Sequence, residues 1–582
     1  MGSLSSLNRY FARYKGKLLL GILFILFSNM ATVYVPLLLR DGIDALRSNT
    51  DYETIIRYAI MIVAASAIGG VFRFSIRETI IVMSWQIEYD LRHDFWAHIQ
   101  RLSARFFSNN STGNIMAHAT NDIKAVRSFV GPAVMYSIDT VTRFAMVIII
   151  ITSINTPLTI YALLPLPLLS FFVYKLSKKI HKRFTKIQEK FSDITTKAQE
   201  SFSGIRVIKS YVREESEIDL FKKMSSEYLN LNMHKVKIQA LFMPILFLIT
   251  GTSIIIIIWI GGSMVINNVL TLGELIAFAA YLGLLIWPVI AIGWVLNLIQ
   301  QGSASMKRIK RIWDEYVEID DHRKTKFSIN DIKGDISFRN VSFKYKDDGE
   351  EVLKNINIDI PRGKTLAVIG HTGVGKSSLV NLVPRLYDVT GGEILIDGNN
   401  IKDFPLRVLR KNIGMVPQET FLFSDTLKNN ILFGVDKPGD EIIERVSKIS
   451  QLHKDVENFS KGYETILGER GITLSGGQKQ RTCLARALAI DPKILILDDS
   501  FSAVDTHTEE DILLSLKEFM KERTSLIISH RISTVKDADK IIVLDKGSIA
   551  EEGTHDELIA KDGIYAELHY KQLLEEELKE LN

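Results

Sequence analysis

Between Lys17 and Arg40 the chain runs through 22 residues without a charge, and a helix needs about 20 apolar residues to cross a bilayer core. Similar runs recur. A second starts near Tyr58 and passes through AASAIGG before Arg73, Arg77 and Glu78 interrupt it. From Phe144 to Tyr174 a further 31 residues are uncharged, and SINTP with additional prolines midway predicts two spans joined by a tight turn. Runs from Ile238 to Gly273 and from Leu275 to Met306, parted by NNVLTLGE, bring the predicted set to six. The charged stretch KRIKRIWDEYVEIDDHRKTK then ends the apolar pattern, and short β-branched runs alternate with glycine-rich turns and helical segments. The expectation is an all-α polytopic membrane domain of six transmembrane helices over residues 1–320, followed by an α/β domain over 321–582.

Charge between the spans suggests orientation. The connection between spans two and three carries Arg92, Arg101, Arg105, Lys124 and Arg127. That between four and five carries Lys175, Lys178, Lys179, Lys182, Arg183, Lys186 and Lys190. The connections after spans three and five are a few residues long and uncharged, so the positive-inside rule predicts that the basic loops, both termini and the α/β domain are cytoplasmic. The first span is too long for a cleavable signal peptide. MGSLSS matches an acylation signal only formally, since a multispan chain gains little from one lipid. LNRYFARYKGK mixes apolar and basic residues at helical spacing and is expected along the membrane surface. A net charge of +4 from 71 basic and 67 acidic residues gives no reason to expect a nucleic-acid partner. With Cys483 alone, neither an intrachain disulfide nor a zinc cluster is possible.

The chemistry lies in the second domain. LAVIGHTGVGKSSLVNLV reads as strand, glycine-rich turn and helix, and Gly370, His371, Thr372, Gly373, Val374, Gly375, Lys376 and Ser377 fit the phosphate-loop pattern, with Ser378 following. Glycines let backbone amides close around phosphate oxygens. Lys376 supplies charge to the β and γ phosphates, and the Ser377 hydroxyl is a ligand for Mg²⁺. This much predicts nucleotide binding and leaves kinases, GTPases and motors open.

LSGGQKQR, from Leu474 to Arg481, narrows the choice. It resembles the signature of the ATP-binding cassette (ABC) family, as does the order of the pieces around it. By that resemblance Tyr345 stacks on adenine, Gln418 is the loop glutamine, Asp498 serves Mg²⁺ with Ser377 and Gln418, and His530 is the switch histidine. Leu474, Ser475, Gly476, Gly477 and Gln478 act on ATP bound by a partner chain, and Ser502, Ala503, Val504 and Asp505 form the loop that meets it. Six spans fused to one cassette resemble a half-transporter of the exporter type. The resemblance implies an ATP hydrolase coupled to transport of an amphipathic substrate, in a dimer, in a membrane such as the bacterial inner membrane. It also matches the segments around NNSTGNIMAHATND and SFSGIRVIKSYVREE to coupling helices, with Gly113 and Gly204 expected as turn formers. A lipid flippase with anionic cargo and an ATP-gated channel or regulatory subunit are the other readings.

One residue departs from the family pattern. Where active cassettes carry a glutamate after the metal-side aspartate, ILILDDSFSAVD carries Asp499. The shorter acid withdraws the carboxylate by roughly 1.5 Å, and a displacement near 1 Å costs about 100-fold in a positioned reaction. In heterodimeric exporters one half carries the substituted acid with a good signature, so the resemblance implies a different second half-transporter as partner, with a homodimer as the rival. For cargo, Arg73, Arg77, Asp139 and Arg143 stand at membrane depth, where charge is costly and marks functional candidates. Their arginines favour an anionic head group, while pairing among themselves is the alternative. Trp287, Phe278, Tyr281 and Trp294 are aromatic candidates for the same ligand.

Overall fold

The computed structural model describes residues 4–48, 51–321, 325–346 and 348–580. Met1–Ser3 of the MGSLSS motif and residues 322–324 of the charged linker lie outside them. The chain divides into two compact units. The first comprises Met1–Ile99 and Gly113–Asp314, and the second Gln100–Thr112 and Glu315–Asn582.

The first unit is helical. Among the described residues five helices are long and apolar enough to cross a membrane: α1 (Lys15–Arg47), α2 (Tyr52–Ile99), α3 (Thr112–Ile154), α5 (Glu214–Ile266) and α6 (Leu272–Trp313). The remaining predicted span is built in two pieces, Thr156–Leu163 and α4 (Leu166–Ser203). Pro165 and Pro167 lack the amide hydrogen that would bond back one turn, so the helix restarts there, with proline in its first turn. At 1.5 Å per residue α2 is about 72 Å long, more than twice a bilayer core. The excess carries the spans out of the apolar zone as stalks. Exposed Val63, Ile149 and Trp259 present apolar surface that water would penalise and lipid does not.

Polar contacts fix how these helices meet. Asp44 of α1 accepts the Thr271 hydroxyl at 2.6 Å and the Gly273 amide at 2.9 Å, capping α6 from another helix, and Thr271 and Glu274 add a capping box. Buried Glu88 of α2 pairs with Arg92 at 2.5 Å and with Arg127 of α3 at 3.1 Å, while Asp122 of α3 binds Arg308 of α6. The N-terminal helix Asn8–Arg13 is held by α2: Arg13 and Tyr14 bond Asp90 at 2.9 and 3.0 Å, and Arg9 and Tyr10 bond Asp94 at 2.7 and 2.6 Å. Its basic face, expected against lipid head groups, is therefore engaged by α2 carboxylates. The two glycines expected to form turns do not adopt glycine-only conformations. Gly113 lies inside the helix Thr112–Ala117, and Gly204 caps α4 at a φ of −92°.

The second unit carries two sheets. One is antiparallel with order β2-β1-β4-β5, from β1 (Ile336–Phe343), β2 (Leu353–Ile360), β4 (Gly391–Ile396) and β5 (Asn399–Asn400). The other has order β10-β9-β3-β8-β7-β6, from β3 (Thr365–Ile369), β6 (Ile413–Val416), β7 (Ile494–Asp498), β8 (Thr524–Ile528), β9 (Lys540–Asp545) and β10 (Ser548–Gly553). Strands β9, β3, β8, β7 and β6 run parallel. Such strands are buried on both faces, which is why ILIL before Asp498 is uninterrupted by polar residues. In doubly wound sheets ligands bind at the carboxyl ends of the strands, and β3, β7 and β8 end at Ile369, Asp498 and Ile528. The segment Gln100–Thr112 belongs to this unit, with Arg101 bonded to Asp320 at 2.6 Å and Ser103 to Glu318 at 3.1 Å.

Candidate nucleotide site and membrane cavity

The turn after β3 folds as its glycines dictate. Gly370, Gly373 and Gly375 adopt φ of 149°, 86° and 103°, and a Cβ on Gly370 would stand 2.4 Å from the Leu544 carbonyl oxygen. Only glycine fits there. The loop opens the helix α7 (Lys376–Leu382), so its amides point at whatever enters the turn. The buried Lys376 ammonium donates to the Gly370 and His371 carbonyls at 2.8 and 3.0 Å. Burial lowers its pKa, and the neighbouring Asp499 and Asp498 carboxylates oppose that shift.

A cavity of about 370 Å³ brings together Tyr345, Thr372, Gly373, Gly375 to Ser378, Gln418, Asp498, Asp499 and His530, while Gly370, His371 and Val374 do not line it. Tyr345 stands at its rim, its hydroxyl 2.8 Å from Ser378 Oγ and its ring edge-on to Phe343 and Tyr387. The Ser377 hydroxyl donates to Asp498 Oδ1 at 3.1 Å. Asp498 is buried, which raises its pKa, and the Asp499 charge adds to the rise against Ser377, Lys376 and His530. Asp499 holds a left-handed φ of 47°, its amide donating to the Ile528 carbonyl at 2.9 Å. Aspartate is among the residues that tolerate this conformation.

Leu474 to Gln478 and Ser502 to Asp505 do not line this cavity. Ser475 caps the helix α8 (Gly476–Ala489) in a capping box with Gln478, so exposed amides open that helix. Asp505 caps α9 (Thr506–Met520) through the Thr508 amide at 2.9 Å, which holds its carboxyl below the usual range. The two segments are tied by a residue the sequence reading passed over. Buried Gln480 donates to Ser502 Oγ and accepts from the Ala503 amide, both at 2.9 Å. Its place inside the LSGGQKQR run was the only signal available.

In the membrane unit a cavity of about 310 Å³ is lined by Arg73, Arg77, Asp139, Arg143, Tyr136 and Trp287 among others. Asp139 and Arg143 pair at 2.9 Å, and Arg143 also donates to Asn29 at 3.1 Å. Among the described residues Arg73 reaches the Thr32 hydroxyl, at 3.5 Å, and neither Arg73 nor Arg77 pairs with a carboxylate. The charged set thus divides into a structural pair and two unpaired cations. Of the aromatic candidates, Phe278 and Tyr281 are core residues, Tyr281 donating to the Val33 carbonyl at 2.7 Å, while Trp287 lines the cavity and Trp294 packs on Tyr136.

A helical membrane unit fused to a phosphate-loop ATPase with a helix-capping LSGGQ defines an ATP-driven membrane transporter. Comparison with known proteins gives the family: residues 18–289 match the ABC transporter transmembrane region and residues 353–502 match the ABC transporter family. The probable multidrug resistance ABC transporter ATP-binding/permease protein YheI of Bacillus subtilis (strain 168) is 36% identical over 98% of this chain and 98% of its own. The ATP-dependent lipid A-core flippase of Syntrophus aciditrophicus (strain SB) is 38% identical over 86% of this chain and 83% of its own. A bacterial Atm1-family ABC exporter with ATP bound superposes with a TM-score of 0.80 at 27% identity, covering 96% of this chain and 99% of the other. The chain belongs to the ABC transporter family and is a multi-pass, ATP-binding half-transporter of the exporter type, a class that works as dimers of ATP-hydrolysing chains.

Proposed function

We propose that this chain is one half of a heterodimeric exporter, that it binds ATP well and hydrolyses it slowly at its own phosphate loop, and that its cargo is an amphipath bearing an anionic group. The observation that carries the ATP half of this reading is the membership of the nucleotide cavity. Asp499 shares it with Lys376, Gln418 and His530, whereas the intact Ser475–Gln478 cap stands outside it, which supports a role for that cap at a partner's nucleotide.

In this reading Tyr345 stacks on the base, the loop amides and Lys376 hold the phosphates, and His530 contacts the γ-phosphate. Asp499 orients and deprotonates the attacking water, and its short reach slows that step. The oxygen set of Ser377, Gln418 and Asp498, with one carboxylate, suits Mg²⁺, which commonly completes its shell with substrate phosphates and water. When bound, Mg²⁺ would neutralise charge on the β and γ phosphates. ATP drives transport because it binds the closed pair of cassettes better than the open pair. The basic loops support a cytoplasmic N-terminus and cassette, and the bacterial relatives support a bacterial inner membrane.

Arg73 and Arg77 support the anionic cargo. Asp139 of the same cavity is paired with Arg143, and among the described residues Arg73 and Arg77 have no carboxylate partner, so an external counter-charge would stabilise them, and a lipid with an anionic head group fits the same chemistry. Flux into proteoliposomes tests this. An anionic fluorescent phospholipid is expected to move against its gradient with ATP, and Arg77→Ala to reduce that flux about tenfold or more while sparing a cationic amphipath. Movement only down the gradient would sink the export reading in favour of a channel. Equal handling of anionic and cationic probes by the unaltered protein would sink the charge reading.

A further inference from the structure

Main-chain atoms immediately after the switch histidine are held by a helix to which sequence reasoning gave no part in nucleotide chemistry. β8 delivers the chain to Ser529–Ile532. On one flank α9 contributes buried Glu509, which accepts the Thr534 hydroxyl at 2.6 Å and pairs with Arg531. On the other flank lies the C-terminal helix Ile564–Glu580. Its Gln572 accepts the Ile532 amide at 2.8 Å through Oε1 and donates to the His530 carbonyl through Nε2. One carboxamide thereby bridges the residues on either side of Arg531.

The helix that presents Gln572 is anchored at its base. Glu551 accepts the Ile564 and Tyr565 amides at 2.5 and 3.1 Å, and Tyr565 and Ala566 are buried. The Tyr565 hydroxyl lies 2.7 Å from His555 Nδ1. Gly563 permits this approach, since a Cβ there would stand 2.1 Å from Glu551 Oε1. From Tyr565 to Gln572 is about 10.5 Å of helix, so the carboxamide ends a short rigid arm. Between these two residues Glu567 pairs with Lys571 at 2.6 Å, which lowers its carboxyl pKa, and His371 of the phosphate loop adds to that effect. The helix therefore runs beside the switch loop.

We propose that Gln572 is a positioning residue for His530: it fixes the main chain that carries the imidazole, so that the ring meets the γ-phosphate and ATP is retained. This rests on the reading of His530 as the γ-phosphate contact. A carboxamide suits the place because it offers one donor and one acceptor to a carbonyl and an amide. Glutamate keeps the bond from Ile532 and sets a carboxylate oxygen against the His530 carbonyl, and leucine fills the volume with neither bond.

The test uses the full-length chain, purified with the half that accompanies it and held in nanodiscs, loaded with γ-labelled ATP and Mg²⁺ and then chased with unlabelled ATP. The half-life of retained label is measured together with Tm. Gln572→Leu is expected to shorten retention about tenfold, the worth of two hydrogen bonds, with Gln572→Glu intermediate. His530→Ala shortens it at least as much, and the double variant no further, because Gln572 acts through His530. Retention unchanged in Gln572→Leu while His530→Ala shortens it would overturn the proposal and leave the reading of His530 standing. Effects that multiply in the double variant, or a loss of retention matched by a fall in Tm, would make Gln572 a general structural contact and also overturn it. No effect of His530→Ala would overturn the reading of His530, and this proposal with it.

Discussion

Replacing Asp499 with glutamate isolates the feature that sets this cassette apart. The backbone there is fixed, the amide bonded to Ile528 and the carbonyl accepting Ser502 Oγ at 3.3 Å, so side-chain length alone decides where the carboxylate stands. One methylene extends it by roughly 1.5 Å toward the γ-phosphate. By the usual sensitivity of a positioned reaction this is worth about 100-fold, or about 2.7 kcal/mol of barrier. The φ of 47° opposes the change. A left-handed conformation costs an L-residue about 1–2 kcal/mol, and glutamate tolerates it less well than aspartate, so the cassette loses roughly 0.5–1 kcal/mol of stability. The kinetic gain exceeds that loss. Single-turnover release of labelled phosphate from the purified full-length transporter should therefore speed up about 100-fold at this site, with a small fall in Tm. A rate within about threefold of the unaltered protein would show that Asp499 already reaches the water, and the argument for a slowed half would fail.

Asp498→Asn should raise the Tm of the ATP-free transporter at pH 7–8 while abolishing its further rise with Mg-ATP. Burial raises the folded-state pKa of this acid, so its stability penalty is absent below the ordinary carboxylate range, grows as pH rises through that range to the raised folded value, and is complete above it. Scanning fluorimetry should find the advantage of asparagine narrowing toward pH 4. Gly477→Ala should leave ATP affinity unchanged yet lower turnover of the dimer about tenfold or more, because its Cβ would lie 2.9 Å from the Ala503 carbonyl and displace the Ser502–Asp505 loop. Alanine favours the helix by about 1 kcal/mol, so lost activity without lost stability separates this from misfolding. Turnover equal to that of the unaltered protein would mean the loop does not need this close approach.

The charge-free runs predicted most of the membrane helices, because burial in hydrocarbon demands about 20 consecutive apolar residues and leaves a continuous mark. The phosphate loop was legible for a similar reason, since its glycines and Lys376 act within one turn of chain. Local pairing was partly legible as well: Asp139 and Arg143 are four residues apart on one helix, the spacing at which side chains meet. That Arg73 and Arg77 have no carboxylate partner among the described residues was not, because their surroundings come from other helices. That Asp90 and Asp94, about 80 residues away, engage the basic residues of the N-terminal helix was not legible either.

The sequence by itself determined what each segment can do locally: cross a bilayer, cradle a phosphate, cap a helix, or carry a shorter acid at position 499. Only the tertiary structure decided which segments act together. Gln480 meets the Ser502–Ala503 loop across 22 and 23 residues, and Gln572 meets His530 across 42. Hydropathy and backbone hydrogen bonding over consecutive residues fix the first kind of property. Strand order and helix packing fix the second, by setting which side chain lies within bonding distance of an amide or carbonyl distant in sequence.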